Sequence, residues 1–366
     1  MSTDSEKFIT IGIECESIEG GPSWGVGRFL YKTLEQLSLR PQLAATHRFH
    51  LYFKKQIPDY PFLASPMFVK TVTTPRWVPA SFNLHYHVWM IARAYWDGVQ
   101  LLFFPNYMLP LMWFKKSLVM LTEDIWYEMR NPKLGFRYRL AYWIFGNWAA
   151  IAATRVMAIS HSSKEALTKL FGIRPGRIQV NELAVDPPQA VHGLTRTQPY
   201  LLYVGQAFER RHLRETLTAF AHIKPQFPGL EFVFVGPDKY TPPLTLDPSV
   251  VRFERVSDRA LAALYANASV LVYVSDMEAF GLPPLEALSY GVPAVVMDAP
   301  VNREIYGEYA FYTQNAQGIS VAISTALMDT AQRERIKQAA GAIVARYTWP
   351  AHTDRFLTII HELSHP

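Results

Sequence analysis

The fold that we expect depends most on one stretch, Glu278-Ala279-Phe280-Gly281-Leu282-Pro283-Pro284-Leu285-Glu286. An apolar run from Ala268 to Val274 precedes it and predicts a buried strand, and a helical pattern follows from Leu285 to Tyr290. A strand that turns directly into a helix leaves unpaired backbone N–H groups at the helix N-terminus, where an anion binds well. Such a site can hold a phosphate on the loop amides and sugar hydroxyls on Glu278 and Glu286. The plainer alternative is a turn with two solvated glutamates.

Length and composition narrow the class of protein. The 366 residues suffice for two α/β domains, and 49% of them are hydrophobic, as in a globular chain. The single cysteine, Cys15, excludes an internal disulfide, and no signal peptide follows the polar start, Met1 to Lys7. The longest apolar run, Leu140 to Ala153, is too short to span a bilayer and predicts a buried helix. A net charge of +5 suits an anionic ligand or membrane surface but is too weak to indicate nucleic acid.

Strand-like runs alternate with helical patterns, which predicts parallel sheets built from β-α-β units. The first series of predicted strands is Phe8–Glu14, Phe49–Phe53, Phe68–Val72, Leu101–Phe104, Leu118–Thr122, Val156–Ser160 and Ile178–Glu182. The second series is Tyr200–Val204, Phe232–Val235, Val251–Phe253, Val270–Val274 and Ala294–Met297. Between them, Asp186 to Pro199 contains three prolines and predicts a linker. Ligands of doubly wound domains bind at the carboxyl ends of the strands, so we expect the site there.

The spacing of Glu278 and Glu286 resembles the E-x7-E motif of the family-4 glycosyltransferases (GT4), which are retaining enzymes of the GT-B fold. The resemblance implies an α/β chain of two doubly wound, Rossmann-like domains that face each other across a cleft. We expect an acceptor-binding domain over residues 1–188 and a nucleotide-sugar-binding domain over residues 189–345. Residues 346–366 then form a C-terminal helix that crosses back to the first domain, and the alternative is an ordinary terminal helix of the second.

The second domain offers cations just after its first strand. Gly205-Gln206-Ala207-Phe208-Glu209-Arg210-Arg211 resembles the G-R-x-x-x-x-K element of the family. Arg211 takes the place of the lysine and Gln206 that of the arginine, so one phosphate contact is lost unless Arg210 supplies it. A guanidinium here can clamp a diphosphate and offset the charge of the leaving group. A basic, solvated helix start would explain the same residues.

The resemblance also implies roles for the remaining donor-side residues. We expect Glu278 to bind the hydroxyls of the donor sugar, Glu286 to bind the ribose, and Gly236 to lie near the nucleotide base. No DxD element is present, so Arg211 and the loop amides should hold the diphosphate without an essential metal ion. The loop amides in question belong to Phe280, Gly281 and Leu282.

Two loops of the first domain carry further candidates. Gly25, Gly27 and Arg28 lie in a glycine-rich loop like that of the family, and we expect Arg28 to lie close to the acceptor. Glu123 and Asp124 stand where the family usually has a His-Asp pair, which makes both candidate catalytic residues. A carboxylate at position 123 can stabilise oxocarbenium-like charge or alter sugar specificity, but two adjacent acids can also simply cap the next helix.

Other motifs allow two interpretations. The Ser160 to Lys164 segment resembles the S-x-x-S/T element of the family, although helix capping explains it equally well. Bases and aromatics alternate between Trp126 and Trp143, which is typical of an interface with anionic headgroups or of a buried helix whose arginines reach solvent. His85 and His87 have no carboxylate or cysteine at ligand spacing, so a metal site there is not expected.

These features predict a retaining glycosyltransferase that uses a GDP- or UDP-linked sugar, with GDP-mannose favoured by the resemblance. The acceptor would be a hydroxyl of a glycan or lipid-linked molecule in surface-polysaccharide assembly. We expect a cytoplasmic enzyme, in peripheral contact with the inner face of an anionic membrane, with no nucleic-acid partner. Because Gln206 and Glu123 depart from the pattern, the alternative is a non-catalytic nucleotide-sugar-binding protein or a membrane-surface scaffold.

Overall fold

The structure of the protein is a computed structural model that describes residues 8–21, 25–75, 77, 85–132, 134–190, 198–240 and 242–364. The chain forms two compact units. Unit 1 comprises Met1–Leu183 with Trp349–Pro366, and unit 2 comprises Ala184–Thr348. Each is an α/β unit around a parallel sheet, as the alternating sequence pattern predicts.

Unit 1 contains a sheet of seven strands in the order β3-β2-β1-β4-β5-β6-β7. All neighbouring strands are parallel, and β1 pairs with both β2 and β4. The strands β2 and β3 therefore lie on one side of β1, and β4 to β7 lie on the other. The position between β1 and β4 is the topological switch point of a doubly wound sheet, where ligands bind. The strands are β1 (Ile9–Glu14), β2 (His47–Phe53), β3 (Phe68–Val72), β4 (Leu101–Phe104), β5 (Lys116–Met120), β6 (Arg155–Ala158) and β7 (Ile178–Val180).

Helices cover this sheet because the strands are apolar on both faces and need both faces buried. Their bounds are α1 (Val26–Ser38), α2 (Met90–Trp96), α3 (Asp124–Glu128), α4 (Phe136–Ala152), α5 (His161–Phe171) and, from the end of the chain, α12 (Trp349–Ser364). Helix α12 packs on unit 1, where the ring of Phe356 lies 4.9 Å from that of Phe103 on β4. The expected return of the C-terminal helix to the first domain is confirmed.

Unit 2 contains a sheet of six strands in the order β10-β9-β8-β11-β12-β13. Here the switch point lies between β8 and β11, which are parallel neighbours. The strands are β8 (Tyr200–Val204), β9 (Glu231–Val235), β10 (Val250–Phe253), β11 (Val270–Tyr273), β12 (Ala294–Met297) and β13 (Phe311–Thr313). The helices are α6 (Leu213–Ile223), α7 (Asp258–Asn267), α8 (Leu282–Ser289), α9 (Pro300–Tyr306), α10 (Ile319–Met328) and α11 (Thr330–Val344).

Two details differ from the sequence expectations. Strand β13 has only three residues and was not predicted, since so short a run gives no periodic signal. Helix α4 is not a buried helix: of its residues only Gly146, Ala149 and Ala150 are buried, while several large apolar side chains are exposed. Part of the predicted linker, residues 191–197, lies outside the described residues.

In the part of the chain that the structure describes, every helix is too short or too polar to cross a membrane.

Candidate active site

Two predicted motifs of unit 2 meet at its switch point. Arg211 follows β8, and Glu278 follows β11, the neighbouring strand. The Nε of Arg211 donates to Oε1 of Glu278 over 2.9 Å, and the hydroxyl of Tyr273 donates to the same oxygen over 3.2 Å. Because parallel strands end at the same edge of the sheet, residues 67 positions apart are brought into one ion pair.

Electrostatics keep this pair charged. Burial alone would raise the pKa of Glu278, but the positive charges of Arg211 and then Arg210 outweigh it and hold that pKa below its ordinary value. Burial would lower the pKa of Arg211, yet Glu278 raises it instead. Both side chains are therefore ionised throughout the neutral range and remain partly accessible, with 14% and 15% of their surface exposed.

Two glycines allow the turn after β8 and the turn after β9 to pack closely against each other. Gly205 has a φ of 140°, and a Cβ placed on it would lie 3.0 Å from the Nη1 of Arg211. Gly236 has a φ of 143°, and its Cβ would lie 2.0 Å from the carbonyl oxygen of Gly205. Any larger residue at Gly236 would push apart the turns after β8 and β9. Gln206 contributes its backbone carbonyl, which accepts from Nη1 of Arg211 over 3.1 Å.

A second cation lies beside the pair. The Nη1 of Arg210 donates to the carbonyl of Met277 over 3.2 Å, whereas its Nε is buried without a hydrogen-bond partner among the described residues. Its neighbour His212 has a φ of 43°, a left-handed conformation that is unusual for a residue with a side chain. The imidazole of His212 contacts Asp276 over 2.7 Å, which ties the loop after β8 to the loop after β11.

The predicted turn before α8 is present at Gly281, but the helix begins at Leu282 rather than at Leu285, because proline is compatible with the first turn of a helix. Gly281 adopts a φ of 88° directly before α8, and Tyr306 donates its hydroxyl to the carbonyl of Gly281. Pro283 and Pro284 have no N–H group, so Leu282 alone among the first three residues of α8 offers a backbone donor. Any anion binding at this turn therefore depends on the amides of residues 280–282.

The second glutamate of the motif has different surroundings. Glu286 lies on α8, is only 8% exposed, and accepts a hydrogen bond of 2.6 Å from the hydroxyl of Tyr265 on α7. Its carboxylate is thus held between two helices rather than on a loop. The expectation that it binds the ribose stays a prediction.

In unit 1, the glycine-rich loop leads directly into α1. Gly25 has a φ of 73° at the N-cap of α1, a conformation that strongly favours glycine, and Gly27 is buried in the first helical turn. Arg28 follows on the same turn. Pro22, Ser23 and Trp24 of this loop lie outside the described residues. The role of the loop in acceptor binding stays a prediction.

The two acidic residues after β5 have different hydrogen-bond partners. Glu123 is 6% exposed and accepts a hydrogen bond of 2.5 Å from the hydroxyl of Ser163, while Asp124 accepts one from Thr122. The side chain of Glu123 makes no capping hydrogen bond to α3, so the capping alternative is wrong for this residue. It holds for Ser160, whose hydroxyl caps α5 by accepting from the N–H of Ser163 over 2.9 Å.

Sequence reasoning missed one cluster. Glu14 and Glu16, at the end of β1, and His85 place potential ligand atoms within 4.8 Å of one another. The expectation that no carboxylate lies near His85 is therefore wrong, because it considered only neighbours along the chain. Burial raises the pKa of Glu14 to about 8. The tertiary fold brings the end of β1 beside the helical turn that begins at His85, which no spacing along the chain reveals.

Comparison with known proteins identifies the class. The sucrose-phosphate synthase of Thermosynechococcus elongatus superimposes with a TM-score of 0.76 over 97% of this chain and 98% of its own, at 17% identity. The protein thus has the GT-B fold of two Rossmann-like units. Residues 188–342 match the family model for glycosyl transferases group 1. This match lies within unit 2 and covers less than half of the chain, and together with the fold it supports the resemblance to GT4 that the sequence shows.

Two curated relatives are similar in sequence. The serotype-specific mannosyltransferase WbdA of Escherichia coli is 29% identical over 136 residues, or 35% of this chain and 17% of that protein. The GDP-mannose:cellobiosyl-diphosphopolyprenol alpha-mannosyltransferase of Xanthomonas campestris is 25% identical over 234 residues, or 58% of this chain and 60% of that protein. This chain therefore spans less than two thirds of the length of either relative.

Proposed function

We propose that the protein is a retaining glycosyltransferase that takes its sugar from a nucleotide-diphosphate donor bound in unit 2. The observation that carries this proposal is the Arg211–Glu278 pair at the switch point of the unit 2 sheet. It combines a cation for the diphosphate with a carboxylate for sugar hydroxyls, where a doubly wound sheet binds its ligands.

The charges suit departure of a nucleoside diphosphate. As the glycosidic bond breaks, negative charge develops on the leaving phosphate, and Arg210 and Arg211 are placed to offset it. The Nε of Arg210 has no hydrogen-bond partner among the described residues, and in this proposal Arg210 supplies the cation that Gln206 lacks. Glu278 orients the sugar, the departing phosphate takes the proton of the attacking hydroxyl on the same face, and no metal ion is required. Glu123 and Asp124 would complete the sugar site.

We further propose that the donor is GDP-mannose and the acceptor a glycan or lipid-linked hydroxyl. The support comes from the names of the two relatives, both of them mannosyltransferases, one of which uses GDP-mannose and a diphosphopolyprenol-linked acceptor. A UDP-linked sugar is the alternative donor, and a non-catalytic nucleotide-sugar-binding protein is the alternative function.

A thermal-shift titration tests the donor proposal. Donor at 100 times its dissociation constant adds about 2.7 kcal/mol to the free energy of unfolding, so GDP and GDP-mannose should raise the melting temperature clearly. UDP-glucose and ADP-glucose serve as controls, and EDTA should not change the result. A shift only with a uridine conjugate would reassign the base, a shift abolished by EDTA would refute metal-free binding, and no shift would refute the donor site.

The exposed side of α4 supports contact with an anionic membrane. Phe136, Tyr138 and Trp143 expose 73%, 67% and 56% of their surfaces, and Arg137 and Arg139 alternate with them. The helix contains no acidic residue, which complements negatively charged headgroups. Such a surface would hold the enzyme where lipid-linked acceptors are found. A membrane-surface scaffold would use the same face without nucleotide binding.

A further inference from the structure

A buried polar cluster lies at the switch point of the unit 1 sheet. Glu14 ends β1, Glu16 follows it, and His85 begins the helical turn before α2. One ligand atom from each residue lies within 4.8 Å of the other two. Glu14 and His85 are completely buried, and Glu16 is partly so. Polar groups of this kind are costly to bury unless they find partners.

The histidine of the cluster has one unsatisfied nitrogen. Nδ1 of His85 lies 2.9 Å from the hydroxyl of Thr73, while Nε2 is buried and has no hydrogen-bond partner among the described residues. When Nδ1 carries the proton and donates it to Thr73, Nε2 presents a lone pair. Metal-binding histidines are commonly oriented in this way by a hydrogen bond at the other ring nitrogen.

The carboxylates are also held in place. The N–H of Glu16 donates to Glu14 over 2.5 Å, and the side-chain amide of Asn106, just beyond β4, donates to the other oxygen of Glu14 over 3.3 Å. The ammonium group of Lys54 contacts Glu16. The cluster therefore already attracts one cation, and Lys54 would compete with any other.

We propose that Glu14, Glu16 and His85 bind one divalent transition-metal cation of the Zn²⁺ type. One imidazole nitrogen and two carboxylate oxygens suit such an ion, whereas Mg²⁺ and Ca²⁺ prefer oxygen ligands alone. The ion would tie the end of β1, which leads into the glycine-rich loop at residues 20–28, to the turn at His85. The site consists of residues of unit 1 alone, shares none with the donor site proposed in unit 2, and does not depend on the proposed function.

Calorimetric titration of the chelator-treated protein with Zn²⁺ is the test. We expect about one equivalent to bind, and we expect His85→Gln to weaken binding by at least 10- to 100-fold, the loss seen when even an indirect partner of a metal site is removed. His87→Gln is the matched control, because His87 lies two residues away and stacks on Phe145 outside the cluster. Because His87 contributes no atom to the cluster, this substitution should change the Zn²⁺ affinity less than threefold. Absorption spectra with Co²⁺ would report the number and geometry of the ligands.

A gain-of-binding variant keeps the test decisive if His85→Gln fails to fold. Lys54→Met removes the competing ammonium group from Glu16 and should tighten Zn²⁺ binding several-fold, which misfolding cannot produce. The proposal is overturned if the wild-type protein binds no Zn²⁺, if His85→Gln in a folded protein binds as tightly as His87→Gln, or if Lys54→Met leaves the affinity unchanged or lower.

Discussion

Glu278 has two tasks that compete for one carboxylate. It neutralises a mostly buried guanidinium, Arg211, and in the proposed mechanism it also binds sugar hydroxyls. The two oxygens allow both, because Arg211 and Tyr273 use Oε1. In the free enzyme, Glu278 neutralises the charge of Arg211. When a diphosphate binds to Arg211, the phosphate oxygens would take over part of that role.

Replacing Glu278 by glutamine tests this role. Glu278→Gln keeps the size and an oxygen for Arg211 but removes the charge, and we expect turnover to fall by about 100-fold or more, as when a key polar group of a transition-state site is lost. The measurement is the initial rate of sugar transfer, with a parallel melting curve to confirm folding. Glu231→Gln is the control, because Glu231 lies at the opposite end of β9. A loss below tenfold in Glu278→Gln would rule out the assigned role.

Sequence motifs predicted that Arg211 and Glu278 lie at one edge of the unit 2 sheet, but not how their side chains pair. The positions of Arg211 and Glu278 after two strands implied a common sheet edge, whereas their direct hydrogen bond depends on the strand order and on side-chain direction. Similarly, the sequence could not show that His212, with its positive φ, joins Asp276. Glu14 and Glu16 escaped notice because their partner His85 is distant along the chain.

At the scale of elements, one buried histidine of α12 joins this helix to two other segments of unit 1. His352 is 3% exposed, its Nδ1 donates to the carbonyl of Glu182 over 2.7 Å, and its Nε2 lies 3.3 Å from the hydroxyl of Thr33 on α1. Burial lowers the pKa of His352 to about 4 from its ordinary value of 6.5. The imidazole is therefore neutral in the folded unit, in the tautomer that the carbonyl selects.

This histidine makes the stability of unit 1 depend on pH. Above pH 6.5 it is neutral in both states and contributes nothing, and between pH 6.5 and 4 only the unfolded chain gains the proton. We therefore expect His352 to lower the free energy of unfolding by about 2 kcal/mol between pH 7 and pH 5. Urea unfolding of wild-type protein and His352→Gln at both pH values measures this, with His222→Gln as an exposed control. An equal loss in wild type and His352→Gln would contradict the assignment.

Helix α4 gives a second prediction at this scale. Trp143→Ser with Tyr138→Ser should reduce cosedimentation with vesicles of anionic phospholipid at least several-fold, because two exposed aromatic anchors are lost. Vesicles of neutral lipid should bind weakly in every case. Val321→Ser on α10, which is also exposed, is the control and should bind as the wild type does. Equal binding by both variants would show that α4 is not the contact surface.

The different outcomes for α4 and α8 show what a sequence pattern can establish. A turn before α8 was predicted from its glycine and prolines, although the helix itself begins three residues earlier than the pattern indicated. The burial of α4 was predicted wrongly, since a helix that is apolar all round gives no preferred face from which exposure can be inferred. Burial depends on which neighbours are available, and those come from the tertiary fold.

For the whole molecule, the class of fold was predictable because alternating strands and helices occur in two series of the right length. Strand β13 and the strand ends were not, as they rest on hydrogen bonding between segments rather than on local pattern. According to the proposed function, the protein transfers a sugar without a metal ion and retains the anomeric configuration of the donor. Each part of that statement has a measurable consequence.

The most direct test is the anomeric configuration of the product formed from GDP-mannose. The protein would be incubated with EDTA, GDP-mannose and a glycan linked to a diphosphopolyprenol, and the purified product would be analysed by nuclear magnetic resonance. The account predicts mannose transfer with the anomeric configuration of the donor preserved. Transfer with an inverted configuration would contradict the retaining mechanism, and no transfer, despite measured GDP-mannose binding, would favour a non-catalytic nucleotide-sugar-binding protein.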